Sequence, residues 1–271
     1  MNHEPQTRSV TSQIDAGSVS LAVTEYAGDG QPLVLLHGIG SNHTTWWPVI
    51  DAMAERFRLF APDWRGHGAS AKPDSGYLIE DYATDLDGLL RSLGLDRPLV
   101  MGHSLGGMVA LHWASKHPGS ACKLVVEDSP LRRHENVAEL FDAWIALASQ
   151  PVEQTAAHYA REFPHWTLEE CRRRAETIGS VKLGVFIELR DRNLRDDDTD
   201  WIAPFAAIDV PTLLVHGDVE TGGMVHVNDA QQFAQTIPNA IVNRIPSGSH
   251  SLHRDRTSQF LEAVLPFLAE D

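Results

Sequence analysis

Apolar residues along this chain gather in short continuous runs separated by longer stretches in which they recur every three or four positions. Pro32-Leu33-Val34-Leu35-Leu36-His37 is one such run, closed by Gly38, and a run of that length suits a strand buried on both faces of a parallel sheet. Before it, Val10 to Ala27 alternates β-prone segments around the turn signal Asp15-Ala16-Gly17, which predicts an opening hairpin. Trp46 to Phe57 has helical spacing, Arg58-Leu59-Phe60-Ala61 is a short apolar run, and Asp63-Trp64-Arg65-Gly66-His67-Gly68 breaks it as a turn. Leu86, Leu89, Leu90 and Leu93 then fall on one face of a helix over Tyr82 to Leu93, ended by Gly94.

The alternation continues through Leu99-Val100-Met101, a helix past Leu111 and Trp113, and Lys123-Leu124-Val125-Val126. It resumes at Thr212-Leu213-Leu214-Val215-His216 and at Ala240 to Ile245, and a helix over Ser258 to Leu268 closes the chain. Strand and helix in this rhythm predict an α/β fold, a mostly parallel twisted sheet of about eight strands flanked by helices. From about Leu131 to Asp209 the strand signal vanishes, and Leu140, Trp144, Leu147, Tyr159, Phe163, Trp166 and Phe186 are scattered among polar residues. The expected organisation is a core over 1–130, a helical insertion over 131–209 and the rest of the core over 210–271. The mixed-charge stretch Arg190 to Asp200 reads as a solvated connection.

Composition changes this picture little. The 271 residues hold 37 Asp and Glu against 22 Lys and Arg, a net charge of −15, which disfavours nucleic acid and anionic lipid as partners. Two cysteines, Cys122 and Cys171, are too few for a disulfide framework or a two-cysteine zinc motif and are expected as free thiols. The first twenty residues lack a basic segment followed by an apolar one, and no stretch approaches bilayer-spanning length. Cytoplasmic residence is the expectation, without membrane association.

The chemical signal is Gly102-His103-Ser104-Leu105-Gly106-Gly107 between an apolar strand and a helix. That context allows a tight turn that projects a serine, the nucleophile elbow. A serine hydroxyl is a weak nucleophile at neutral pH and needs a neighbouring base oriented by a third group. His250, in Pro246-Ser247-Gly248-Ser249-His250-Ser251 after the last expected strand, is the best placed of the fourteen histidines.

Together, His37-Gly38-Ile39-Gly40, the turn from Asp63 to Gly68, the Ser104 elbow and the His250 loop resemble the α/β-hydrolase superfamily, in order as well as in kind. The resemblance implies that the insertion is a cap, and it places the orienting acid three residues after Gly217, at Glu220. Asp128, at the end of the Lys123 to Val126 strand, is the second candidate, and the competing role for it is a turn residue bonding its own loop. The N–H groups of Ile39 and Leu105 would form the oxyanion hole. The implied activity is hydrolysis of a carboxylic ester or lactone of a small, partly apolar substrate. A carbon–carbon bond hydrolase acting on a diketone, and a low-turnover receptor with the same fold, stand as alternatives.

Trp46, His103, Trp144 and Trp166 are candidates for lining the substrate pocket, although aromatic residues bury large areas with or without a ligand. His37 and His67 read as turn-holding residues. His216, His226 and His253 show neither tight grouping nor helical pairing in the sequence, so no metal is expected. The glycines around Ser104 do not form a dinucleotide fingerprint, and no cofactor is expected.

Overall fold

The computed structural model describes residues 4–133, 136–164, 166–195 and 200–270. Two antiparallel strands, β1 (Ser9–Asp15) and β2 (Ser20–Tyr26), open the fold. Six parallel strands follow: β3 (Gln31–Leu36), β4 (Phe57–Pro62), β5 (Leu99–His103), β6 (Lys123–Glu127), β7 (Thr212–His216) and β8 (Ala240–Arg244). The order across the eight-stranded sheet is β1-β2-β4-β3-β5-β6-β7-β8. It bears out the expected architecture.

Alternate residues of each central strand feed opposite faces, as the two-residue period of a strand requires. Val34, Leu36, Val100, Leu124 and Val126 join the cluster under α2 (Ile79–Ser92) and α3 (Leu105–Lys116). Leu33, Leu35, Leu99, Met101 and Val125 join the cluster under α1 (Trp47–Ala54) and α10 (Thr257–Ala269). Burial on both sides explains why these strands read as continuous apolar runs. Helix α2 starts three residues before the leucine spacing alone predicts, because Asp81 accepts the Leu78 N–H at 2.9 Å and caps that end.

Between β6 and β7 the chain makes α4 (Val137–Ser149), α5 (Val152–Glu162), α6 (Leu168–Gly179) and α7 (Leu183–Arg195). Phe141, Tyr159 and Phe186 from this region pack into the same cluster as α2 and α3. Helix α6 begins with a reciprocal cap in which the Glu170 N–H donates to Thr167 Oγ1 at 3.2 Å and the Thr167 N–H to Glu170 at 2.7 Å. This insertion is tied to the core: Lys182 N–H donates to the Gly66 carbonyl at 2.9 Å, and the Glu188 carboxylate accepts from Tyr77 N–H at 2.9 Å. Arg190 to Arg195 continues α7 rather than forming a connection: Leu189 is buried one turn after Val185, and Asn193 Nδ2 donates to the Leu189 carbonyl at 2.7 Å; residues 196–199 lie outside the described part. Two further short helices, α8 (Val227–Thr236) and α9 (Leu252–Asp255), flank β8. Both cysteines are free thiols. Among the described residues no helix is long and apolar enough to cross a membrane.

Strand order dictates where a site can form. From β3 the chain goes to β4 on one side, and the next strand, β5, pairs on the other. At such a reversal the loops leaving two adjacent parallel strands diverge, and a crevice opens at their carboxyl ends. Gly38 follows β3 and Ser104 follows β5 at that crevice, with Leu36 paired to Gly102.

Candidate active site

Ser104 holds φ 54° and ψ −119°, a conformation that costs an ordinary residue energy and persists only where neighbours enforce it. The enforcement is steric and local. A Cβ on Gly102 would lie 2.4 Å from the Gly106 carbonyl oxygen, and one on Gly106 would lie 2.1 Å from that of Leu36. Only glycine lets strand, turn and helix approach this closely, which is why the elbow needs both. The turn is completed by Ser104 N–H donating to the Glu127 carbonyl at 3.0 Å. Ser104 is 7% exposed, and among the described residues its hydroxyl has no hydrogen-bond partner.

His250 donates from Nδ1 to Asp128 Oδ2 at 2.8 Å. A carboxylate only accepts, so this bond fixes the ring with its proton on Nδ1 and leaves Nε2 as the basic nitrogen. Asp128 is fully buried, and the same oxygen accepts the Met224 N–H at 2.8 Å while Oδ1 accepts the Gly217 N–H at 3.3 Å. The acid favoured from the resemblance, Glu220, is instead exposed in a single turn of 3-10 helix and makes no bond to His250. The physical reason is the loop after β7: Asp218 turns back to pair with Arg244 at 2.5 Å and to accept the Ser247 N–H at 2.9 Å, which directs Glu220 to solvent. That pairing, with Arg244 as the main cause, holds the Asp218 carboxyl down at about 2.

The loop after β3 supplies N–H groups beside the elbow. A Cβ on Gly38 would lie 3.1 Å from Ser104 Cβ. Gly40, at φ 69°, donates its N–H to His67 Nε2 at 3.1 Å, whereas the Ile39 N–H has no partner among the described residues. The Leu105 N–H is the first of α3, where a helix offers no acceptor. His37 and His67 pin this loop: His37 accepts the Trp64 N–H at 3.0 Å and donates to the Gly38 carbonyl at 2.8 Å, and His67 donates to the Arg65 carbonyl at 3.0 Å. Burial pushes His37 down to about 4 and His67 down to about 3, so both are neutral at physiological pH.

Behind the His250–Asp128 pair lies a second, buried group that sequence spacing did not suggest. His103, Glu127 and His253 bring one ligand-type atom each within 4.8 Å of one another, a grouping that the histidine spacing of the sequence gave no hint of. It arises because His103 and Glu127 are paired across β5 and β6 and α9 drops His253 onto them. His253 Nδ1 lies 2.8 Å from Glu127 and its Nε2 lies 3.1 Å from Thr45 Oγ1; His103 donates from Nε2 to the His250 carbonyl at 2.8 Å. Burial raises the Glu127 carboxyl to about 7 and lowers His253 to about 3, with His103 also well below its ordinary value. His103 thus steadies the loop of the base rather than lining a pocket.

The aromatic candidates divide. Trp46 is fully buried in the cluster beneath α1 and α10, its ring 4.8 Å from that of His253, so it is core and not pocket wall. Its neighbour Trp47 points the other way, toward the cap. Trp144 is half-buried against Phe141 and Phe186, with ring centres 5.1 Å and 6.2 Å away, and Phe186 touches the position of Gly40. Trp166 faces the core under the Arg254 guanidinium, 5.1 Å from its ring centre. Arg174 of α6 was not foreseen: it donates to the Gly40 carbonyl and so joins cap to loop.

A family model described as alpha/beta hydrolase fold matches residues 31–170. The chain is 26% identical over 267 residues to 2-(acetamidomethylene)succinate hydrolase of Mesorhizobium japonicum, covering 96% of this chain and 95% of that one, so the match spans the inserted helices as well. It is 30% identical over 250 residues to a putative carbamate hydrolase, RutD, of Variovorax paradoxus, covering 89% and 92% of the two chains. Among solved structures, that of E-2-(acetamidomethylene)succinate hydrolase matches with a TM-score of 0.83 at 26% identity, over 97% of this chain and 100% of that one.

Proposed function

Because the chain belongs to the alpha/beta hydrolase fold family, we propose that it is a serine hydrolase that opens a carboxylic ester or lactone of a small substrate through an acyl-enzyme on Ser104. The observation that carries this reading is the buried Asp128–His250 pair beside the strained Ser104 elbow. In the proposed cycle His250 Nε2 takes the hydroxyl proton as Ser104 Oγ attacks the carbonyl carbon. The resulting oxyanion accepts hydrogen bonds from the Ile39 and Leu105 N–H groups, each worth on the order of 3 kcal/mol in comparable sites. Collapse expels the alkoxide, which takes the proton from His250. Water then attacks the acyl-enzyme, gives one proton to His250, and the second collapse returns that proton to Ser104 and releases the acid. Asp128 holds the imidazole in the working tautomer throughout.

A second reading, cleavage of an amide or carbamate C–N bond with the same residues, is favoured by the names of two relatives, the acetamidomethylene succinate and carbamate hydrolases. The test is turnover of graded p-nitrophenyl esters, aliphatic lactones and N-acyl amides by wild type and Ser104→Ala side by side. Turnover that disappears in the variant is expected, and the best class names the bond. Turnover that survives Ser104→Ala would refute the mechanism.

A further inference from the structure

We propose that a cationic cavity between the cap and the loop after β3 binds a carboxylate carried by the substrate, so that the preferred substrates are half-esters or half-amides of dicarboxylic acids. This rests on the hydrolase reading for the reaction but not for the binding. The cavity has a volume of about 40 Å³, room for roughly three water-sized positions, which is the scale of one carboxylate head and a water. Its walls are Ser41, Thr44 and Trp47 on the core side and Trp166, Arg173 and Arg174 on the cap side, with Arg254 closing it.

One cation there, Arg254, is incompletely satisfied. Arg254 Nε is buried without a hydrogen-bond partner, and among the described residues its guanidinium donates no hydrogen bond at all; its packing contact is the face of Trp166. Arg254 is half-buried, and leaving its Nε unpaired out of reach of water is costly, while the Arg174 guanidinium close by adds repulsion. The carboxylates near it offset part of this: Asp255, Glu170 and Glu127 favour its charge, but none accepts a hydrogen bond from its guanidinium among the described residues; Glu170 Oε2 takes the N–H and hydroxyl of Thr167 at 2.7 Å and 2.8 Å, and Asp255 accepts from Ser249. Desolvation accordingly pulls Arg254 down to about 10, and Arg174 pulls in the same direction. An arrangement that is unfavourable when empty and planar in its donors suits a carboxylate, which a guanidinium holds through two parallel bonds.

The cavity adjoins the reacting centre along the chain on both sides. Arg174 bonds the carbonyl of Gly40, one residue from the Ile39 N–H, and Arg254 follows His250 by four residues on α9. The rest of the substrate must then extend from this cavity past the Gly40 loop to the elbow. The net charge of −15 disfavours anions at long range, but salt screens that field within about 8 Å at physiological strength, and the local guanidinium cluster decides.

The test compares mono-4-nitrophenyl succinate with its neutral methyl ester, using wild type, Arg254→Gln and Arg254→Lys, with Arg173→Gln as the reserve should Arg254→Gln fail to fold. Calorimetric binding of monomethyl succinate to Ser104→Ala provides a readout independent of turnover. The expected result is a preference in kcat/KM for the acid over the neutral ester that falls about 10- to 100-fold in Arg254→Gln, the worth of one hydrogen bond to a charged group, and is partly restored in Arg254→Lys. Ser104-dependent hydrolysis with no preference for the acid and no binding of monomethyl succinate overturns the carboxylate site and leaves the hydrolase reading standing. Binding that is lost in the Arg254→Gln protein, with no Ser104-dependent turnover of either ester, supports the site and removes the hydrolase reading.

Discussion

Four buried neutral histidines make this protein acid-labile, by an amount that follows from their surroundings. His37, His67 and His253 are held at about 4, 3 and 3, and His103 well below its ordinary value, in each case first by burial. In the unfolded chain each would titrate near 6.5. Between pH 6.5 and about 4 the unfolded state therefore binds three protons at His37, His67 and His253 that the folded state refuses, with His103 acting in the same direction, and stability falls as pH falls. Glu127 works in the opposite sense: burial raises it to about 7, so below that pH the folded state holds a proton that the unfolded state lacks until about pH 4.5. From the three histidines with Glu127 opposed, the net difference near pH 5.5 is about two protons, a slope of about 2.5 kcal/mol per pH unit. Integrated from pH 7 to pH 4.5 the loss is on the order of 5 kcal/mol, comparable with the whole stability of a marginal domain. Urea titrations at pH 7, 6 and 5 measure it directly. A slope below about 1.4 kcal/mol per pH unit, the effect of a single proton, would refute the reasoning. His67→Gln, which keeps an acceptor for the Gly40 N–H, should reduce the slope by about 1.4 kcal/mol per pH unit.

Two further outcomes discriminate parts of the site. Asp128→Asn should lower kcat about 10³- to 10⁴-fold, because an amide no longer enforces the Nδ1–H tautomer, whereas Glu220→Gln should stay within twofold; steady-state kinetics on one good ester decide, and a larger loss in the Glu220 variant would reverse the assignment. Ser104→Gly should be more stable than Ser104→Ala by about 1 kcal/mol, since glycine occupies positive φ without strain. Equal urea midpoints for the two inactive variants would mean that the elbow stores no strain.

The strands and the elbow were legible because their signals are local. A strand buried on both faces leaves an unbroken apolar run, and Gly102, Ser104 and Gly106 meet within one turn. The acid was not legible, since Asp128 and Glu220 both follow parallel strands and the choice rests on Asp218 folding back to Arg244. Trp46 and Trp47 are adjacent letters with opposite fates, core and cavity wall, because a helix turns its next residue about 100°. The guanidinium cluster joins α6 to α9 across some eighty positions, and the His103–Glu127–His253 group joins three elements; no periodicity announces either.

Inserting the cap between two neighbouring strands also sets the order in which the molecule is made. Leu124 of β6 pairs with Thr212 of β7, so during synthesis at roughly 5–20 residues per second the outer edge of β6 waits several seconds for its partner. That edge, left open, is a template for wrong pairing with another chain, and it ends in Glu127 and Asp128, two adjacent acids whose charge discourages such pairing. His250 arrives later still, after β8, so the nascent chain holds Ser104 and Asp128 long before the imidazole that bonds Asp128 has been made.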